Sequence, residues 1–267
     1  MLKDITLGQY FPGSSFVHRL DPRTKILCMI IYITVIFCIK GFAGYAILAA
    51  FTAICVIASR IPVKFVIRGL KPIMLFIVVT AAFNLFLTGG TVMWKWGFLK
   101  ITYEGARMAV FMVLRLFFLV FGTSLLTLTT SPISLTDGLE YLLSPFKRIG
   151  LPAHELAMMM TIALRFVPTL LEETEKIIKA QTARGADFES GNVIRRAKAM
   201  IPILIPLFIS AFRRADELAV AMECRCYRGG ENRTRLNELK MTAADAGSWT
   251  AVLIFTAAVI LCNIYFG

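Results

Sequence analysis

The sequence predicts an all-α, polytopic membrane protein with about five transmembrane helices and long amphipathic helices along the cytoplasmic surface. Three observations carry this. Of the 267 residues, 57% are hydrophobic and the mean hydropathy is +0.71, above the roughly 45–50% apolar content that a soluble domain tolerates. The apolar residues come in runs whose flanks hold most of the Lys and Arg, as expected for positive charge retained on the cytoplasmic side. Late in the chain, two amphipathic segments close on an Arg set among small residues. The net charge of +12 does not indicate nucleic acid, because the cations flank apolar runs instead of clustering with aromatics on a polar domain.

Residues 2–25 are polar and interrupted by proline. Asp21 before Pro22 has the form of a helix N-cap followed by proline in the first turn, so a helix should start there. The apolar runs Ile26–Ile39 and Phe42–Ala58 are together too long for one crossing, and a tight hairpin at Lys40-Gly41 resolves them into two. Arg60, Lys64, Arg68 and Lys71 form a basic surface segment, and a third crossing runs from about Ile73 to Leu87. Gly89–Gly105 reads as a loop carrying Trp94, Lys95 and Trp96 at the headgroup layer. A fourth crossing spans about Ala106–Leu128. It contains Arg115, whose charge should face the bundle, toward Asn84.

After Leu128 the polarity changes. Residues 131–245 hold most of the acids, nearly balanced by Lys and Arg, and their apolar runs are interrupted by six prolines. Leu156–Leu171 and Ala199–Phe212 read as inner ends of long surface helices, with a full crossing by either as the alternative. Trp249–Phe266 is long enough to span. The chain thus divides into 1–130, lead-in and four crossings; 131–247, a membrane-surface region; and 248–267, a final crossing. Five crossings with all basic segments on one side put the N-terminus and the 131–247 region in the cytoplasm and the C-terminus outside. No removable signal is expected at the start.

No phosphate-binding Gly-x-x-x-x-Gly-Lys-Ser/Thr loop, His-Glu-x-x-His metal site or Gly-x-Ser-x-Gly nucleophile turn occurs. His18 and His154 are the only histidines and leave little scope for proton transfer; neither reads as a metal ligand. Six cysteines, four of them in apolar runs, read as structural thiols. The chain therefore reads as non-catalytic and without a cofactor of its own.

The chemistry concentrates in a repeat. Thr174–Gly185 and Ala215–Cys226 align when Arg184 is set on Arg225. In the second segment Ala211, Phe212, Ala215, Leu218, Ala219 and Met222 step by three and four into one stripe. Arg213, Arg214, Asp216, Glu217 and Glu223 form the charged face, and Glu172/Glu173 lie on the corresponding solvated face of the first. Each segment ends in an Arg at an exposed tip, flanked by Ala183 and Gly185 or by Cys224 and Cys226. A guanidinium there offers bidentate, always-charged docking to carboxylates. Taken singly, each of Met158, Met159, Met160, Met200 and Met222 reads first as core filling; as a group they supply an adaptable apolar surface for a partner.

Leu20-Asp21-Pro22-Arg23-Thr24-Lys25, Gln181-x-Ala183-Arg184-Gly185 and Ala221-Met222-Glu223-Cys224-Arg225-Cys226-Tyr227-Arg228-Gly229-Gly230 together resemble the transmembrane T component of energy-coupling factor transporters, the EcfT/CbiQ family. Cys224 and Cys226 depart from it, standing where the family's basic pattern has Ala and Gly. The resemblance implies an energy-coupling subunit of an ATP-driven importer of a vitamin or metal ion. It would join two ABC-type ATPase subunits, which bind ATP and Mg, to a small membrane-embedded S component that captures substrate. Arg184 and Arg225 would tip the coupling helices that seat in the ATPases. Two other classes stay open: a permease with its own substrate path, disfavoured because Asn84 and Arg115 are nearly alone among polar groups in the spans, and a membrane-embedded enzyme, disfavoured by the missing nucleophile or metal constellation.

Overall fold

The computed structural model describes residues 10–96, 99–150, 152–188, 192–230 and 239–266. They form the helices α1 (Phe16–Arg19), α2 (Pro22–Cys38), α3 (Phe42–Ser59), α4 (Val63–Leu70), α5 (Met74–Leu87), α6 (Tyr103–Thr129), α7 (Pro132–Leu143), α8 (Ala153–Ala183), α9 (Val193–Cys224) and α10 (Ala243–Phe266). A short antiparallel hairpin, β1 (Val92–Trp96) with β2 (Leu99–Thr102), joins α5 to α6. Two compact units result, one from residues 10–138 and 239–266, the other from 139–230.

The five apolar runs expected to cross appear as the helices α2, α3, α5, α6 and α10, all in the first unit; of these α3, α6 and α10 have the length and apolarity to span, and α5 is a shorter apolar helix. Asp21 caps α2 by accepting from the Arg23 N–H at 2.9 Å, with Pro22 in the first turn. The α2–α3 turn falls at residues 39–41 and is held from α10: Asn263 accepts from the Lys40 N–H at 3.2 Å and donates to the Cys38 carbonyl at 2.8 Å. The core is shared by α2, α3, α6 and α10 through Tyr32, Ile36, Leu48, Phe118, Phe255 and Val259. Tyr32 donates to the Phe118 carbonyl at 3.2 Å and lies 3.0 Å from the Thr52 hydroxyl. Its ring rests on Gly122, where a Cβ would fall 3.1 Å from Cδ1. Outward positions of α5 such as Leu75, Phe76 and Phe83 are exposed hydrocarbon, the pattern a helix in lipid requires.

The Leu20–Lys25 stretch is a structural knot, which its polar composition does not reveal. The buried carboxylate of Asp245, in the first turn of α10, accepts from the Asp21 N–H and from the Thr242 N–H, both at 2.8 Å. Lys25 is buried with its ammonium on the carbonyls of Thr129, at 3.0 Å, and His18, at 3.2 Å. The charges of Asp245 and Lys25 are thus both met by backbone groups, the condition for keeping ionic groups buried.

Two expectations need correction. Residues 89–105 are not simply a loop: they contain the hairpin, and α6 begins at Tyr103, capped by the Thr102 hydroxyl accepting from the Gly105 N–H at 3.1 Å. The side chains of Trp94, Lys95 and Trp96 lie outside the described set. Arg115 does not turn to Asn84. The Asn84 amide donates one turn back to the Thr80 carbonyl at 2.9 Å, and the Arg115 guanidinium carbon stands 5.3 Å from the centre of the Phe37 ring. A cation over a ring face is stabilised by the aromatic quadrupole without any polar partner.

In the second unit α8 and α9 are single helices of 31 and 32 residues that carry Pro168, Pro202 and Pro206 in their interiors. α8, like α3, α6 and α10, has the length and apolarity to cross a membrane.

Candidate functional site

α8 and α9 end in the same way. Arg184 is the last capping residue of α8, at φ −85°, ψ 6°, and Gly185 follows in the left-handed region at φ +86°. The Gly185 N–H donates to the Thr182 carbonyl at 2.9 Å, and the Ala186 N–H to the Gln181 carbonyl at 3.0 Å. That pair of bonds is the Schellman termination, which satisfies carbonyls a helix end would otherwise leave open. Forty-one residues on, each step recurs. Arg225 has φ −90°, ψ 13°, and Cys226 takes φ +54°. The Cys226 N–H donates to the Glu223 carbonyl at 2.8 Å and the Tyr227 N–H to the Met222 carbonyl at 3.0 Å.

The sequence suggests that glycine stops both helices, at Gly185 and at Gly229-Gly230. In the second helix Cys226 makes the left-handed turn itself, and Gly229, at φ +88°, makes a separate one. A β-carbon in that region costs about 1–2 kcal/mol, so the second tip is built at some expense where the first is not. Ala183, Arg184 and Gly185 are exposed, as are Cys224, Arg225 and Cys226. Among the described residues nothing stands within 4 Å of where a Gly185 side chain would begin. Neither tip guanidinium has a hydrogen-bond or ion-pair partner among the described residues.

The helices meet at an ion pair. Arg214 donates from Nη2 to Glu173 Oε2 at 2.7 Å, with side chains 35% and 25% exposed. Glu173 lies eleven residues before Arg184, and Arg214 eleven before Arg225, so the pair falls at the same place in both copies of the repeat. At about 1.5 Å per residue each tip stands roughly 16 Å along its helix from the pair. This corrects the placement of Glu173 and Arg214 on solvated faces: both are half-buried in the seam. The signal was present in the alignment, where Glu172-Glu173 falls on Arg213-Arg214, opposite charges at equal register.

α9 also carries two apolar faces instead of one. Ile203, Leu207, Ala211, Leu218 and Met222 are buried or half-buried. Phe212, Ala215 and Ala219, expected in the same stripe, are exposed. Phe212 belongs with Ile201, Leu204, Ile205, Phe208 and Ile209, a second stripe in steps of three and four that is 44–69% exposed. Of the methionines, Met159, Met160 and Met200 are exposed, whereas Met158 and Met222 are half-buried.

Comparison with known proteins decides the family. The CbiQ family, described as "Cobalt transport protein", matches residues 13–236. The energy-coupling factor transporter transmembrane protein EcfT of Ruminiclostridium cellulolyticum is 59% identical over 266 residues, covering 100% of both chains. The chain belongs to the CbiQ/EcfT family. The EcfT protein of Clostridium kluyveri is 57% identical over 269 residues, again covering 100% of each chain, and that of Bacillus subtilis 46% over 258 residues, covering 96% of this chain and 97% of its own. As an EcfT family member the chain is the transmembrane energy-coupling component of an energy-coupling factor transporter and sits in the membrane as a multi-pass protein.

Proposed function

We propose that the two Arg tips are the points at which this EcfT subunit engages its motor. Arg184, with Ala183 and Gly185, seats in one ABC-type ATPase subunit; Arg225, with Cys224 and Cys226, seats in a second. The observation that carries this reading is the duplicated Schellman end, two exposed guanidinium groups, unpaired among the described residues, in nearly identical backbone frames and equidistant from one ion pair. A rigid cap aims a guanidinium without the entropy cost of ordering a loop, and its planar fork suits a carboxylate-lined groove. ATP and Mg are held by the ATPases; this chain supplies no cofactor site.

The exposed stripe from Ile201 to Phe212, with Met159, Met160 and Met200, receives a small membrane-embedded S component that captures a micronutrient, a vitamin or metal ion. An exposed apolar stripe of this extent marks a partner surface, and methionines allow it to repack against different partners. The concentration of cations on one side puts the N-terminus and residues 131–247 in the cytoplasm and the C-terminus outside.

The test is charge reversal at the tips. Arg184→Glu and Arg225→Glu, singly and together, in the complex expressed from its own subunits, should leave the fold and membrane insertion intact. Each should weaken ATPase retention, and the pair should abolish ATP-driven uptake. Full uptake by the double variant would overturn the assignment.

A further inference from the structure

Beyond the second tip the chain returns to the base of α8. Gly230 packs against the Cγ–Cδ2 edge of His154, in the first turn of that helix: a Cβ built on Gly230 would stand 2.7 Å from His154 Cγ and 3.1 Å from its Cβ. Real Cβ atoms do not approach so closely, so any side chain at position 230 would push the segment off the ring. His154 is fixed from its other edge, where Nδ1 lies 2.9 Å from Glu140 Oε1 near the end of α7, with the two side chains 33% and 14% exposed. Gly229, at φ +88°, makes the turn that brings Gly230 down. Only five residue steps separate Arg225 from Gly230, so the tip stands at most about 17 Å from this contact.

We propose that His154 is a positioning residue for the Arg225 tip. Glu140 orients the imidazole, the imidazole seats Gly230, and the short segment between ties the Arg225 cap to the base of α8. With the Glu173–Arg214 pair on the other side, the end of α9 is anchored both before and after the docking residue. This fixes where Arg225 points when an ATPase subunit arrives, and it gives a purpose to Gly230 that no helix-capping requirement does. The inference rests on the reading of Arg225 as a docking residue.

The test isolates one tip at a time. The full chain in lipid nanodiscs is titrated with the purified ATPase subunits of its own complex. In an Arg184→Glu background, where only the second tip docks, Gly230→Ala or His154→Ala should each lower the apparent affinity about tenfold, a coupling within the usual range for residues in contact. The two together should do no more than either alone. In an Arg225→Glu background the same substitutions should change affinity less than twofold. Equal losses in both backgrounds would mean general destabilisation and would overturn the proposal, as would unchanged affinity in the Arg184→Glu background.

Arg184→Glu and Arg225→Glu that themselves leave affinity intact would instead remove the docking reading, and this inference with it. Should Gly230→Ala fail to accumulate, nitroxide labels introduced as unnatural amino acids at exposed Glu155 and Ala221 report the brace directly in the His154→Ala chain. The inter-label distance distribution should broaden relative to the parent, and an unaltered distribution would overturn the proposal.

Discussion

The ion pair between Glu173 and Arg214 is the point on which the geometry of both tips depends, and a charge-reversal cycle tests it. At a separation near 3–4 Å and an effective dielectric of about 20 the attraction is roughly 4 kcal/mol. Most of that is offset by lost hydration and by solvent screening, because the side chains remain 35% and 25% exposed. A charge-assisted hydrogen bond of 2.7 Å in such a setting should retain about 1.5 kcal/mol net. Glu173→Arg sets a third cation beside Arg213 and Arg214, and Arg214→Glu sets a third acid beside Glu172 and Glu173. Each single reversal should therefore lower the thermal midpoint of the detergent-solubilised chain by about 4–6 °C. The swapped double variant restores opposite charges and should recover more than half of the summed loss. A coupling below about 0.5 kcal/mol, the range in which independent sites add, would refute the crossing as an energetic link.

Three further outcomes follow from local geometry. Cys226→Gly removes the cost of a β-carbon at φ +54° and should stabilise the end of α9 by about 1 kcal/mol, whereas Gly185→Ala should destabilise α8 by a similar amount although space is open around it; amide exchange at Ala186 and Tyr227 reads both. Asp245→Ala strips the acceptor from the buried Asp21 N–H and from the Thr242 N–H, and should cost about 2–3 kcal/mol, seen as early thermal unfolding and protease cleavage before α2. Tyr32→Phe removes a buried hydroxyl that contacts both the Phe118 carbonyl and the Thr52 hydroxyl and should cost about 1–2 kcal/mol with the ring packing on Gly122 kept, measured as a shifted thermal midpoint.

Much of the membrane unit was legible because bilayer thickness and the need to satisfy every backbone group leave few options for long apolar runs. The Asp21-Pro22 start and the turn at Lys40-Gly41 were readable for the same local reason, that caps and breaks act within a few residues. The clamp from Asp245 to Asp21 was not, since it joins positions more than two hundred residues apart and neither looks unusual alone. The hairpin before α6 escaped because Val92–Trp96 and Leu99–Thr102 are short and pair with no alternation strong enough to stand out. Of the candidate site, the duplicated Arg ends could be read from the repeat, but the left-handed turn at Cys226 could not, because only Gly, Asn and Asp advertise that conformation. The ion pair was visible in principle, once the acids of one copy are seen to align with the bases of the other.

The exposed stripe on α9 gives the last prediction and links the two ends of the helix. Its centre, near Ile205, lies nine residues before Arg214, about 13 Å along the axis, while Arg225 lies about 16 Å beyond it. On the docking reading, a tilt of α9 about the Glu173–Arg214 pair moves the stripe nearly as far as the tip and in the opposite sense, so ATPase closure at one end becomes displacement of an apolar surface at the other. Pro202 and Pro206 each remove one helical hydrogen bond within the stripe and are the places where α9 can bend under that load. Phe208 is 61% exposed, so Phe208→Ser should leave stability within about 0.5 kcal/mol of the parent. If the stripe carries motion to a membrane partner, the same substitution should uncouple transport: ATPase subunits stay bound and hydrolyse ATP, but uptake in reconstituted vesicles falls at least tenfold. Loss of ATPase retention together with uptake would place Phe208 in the fold or the motor contact instead, and normal uptake would remove the stripe from the coupling path.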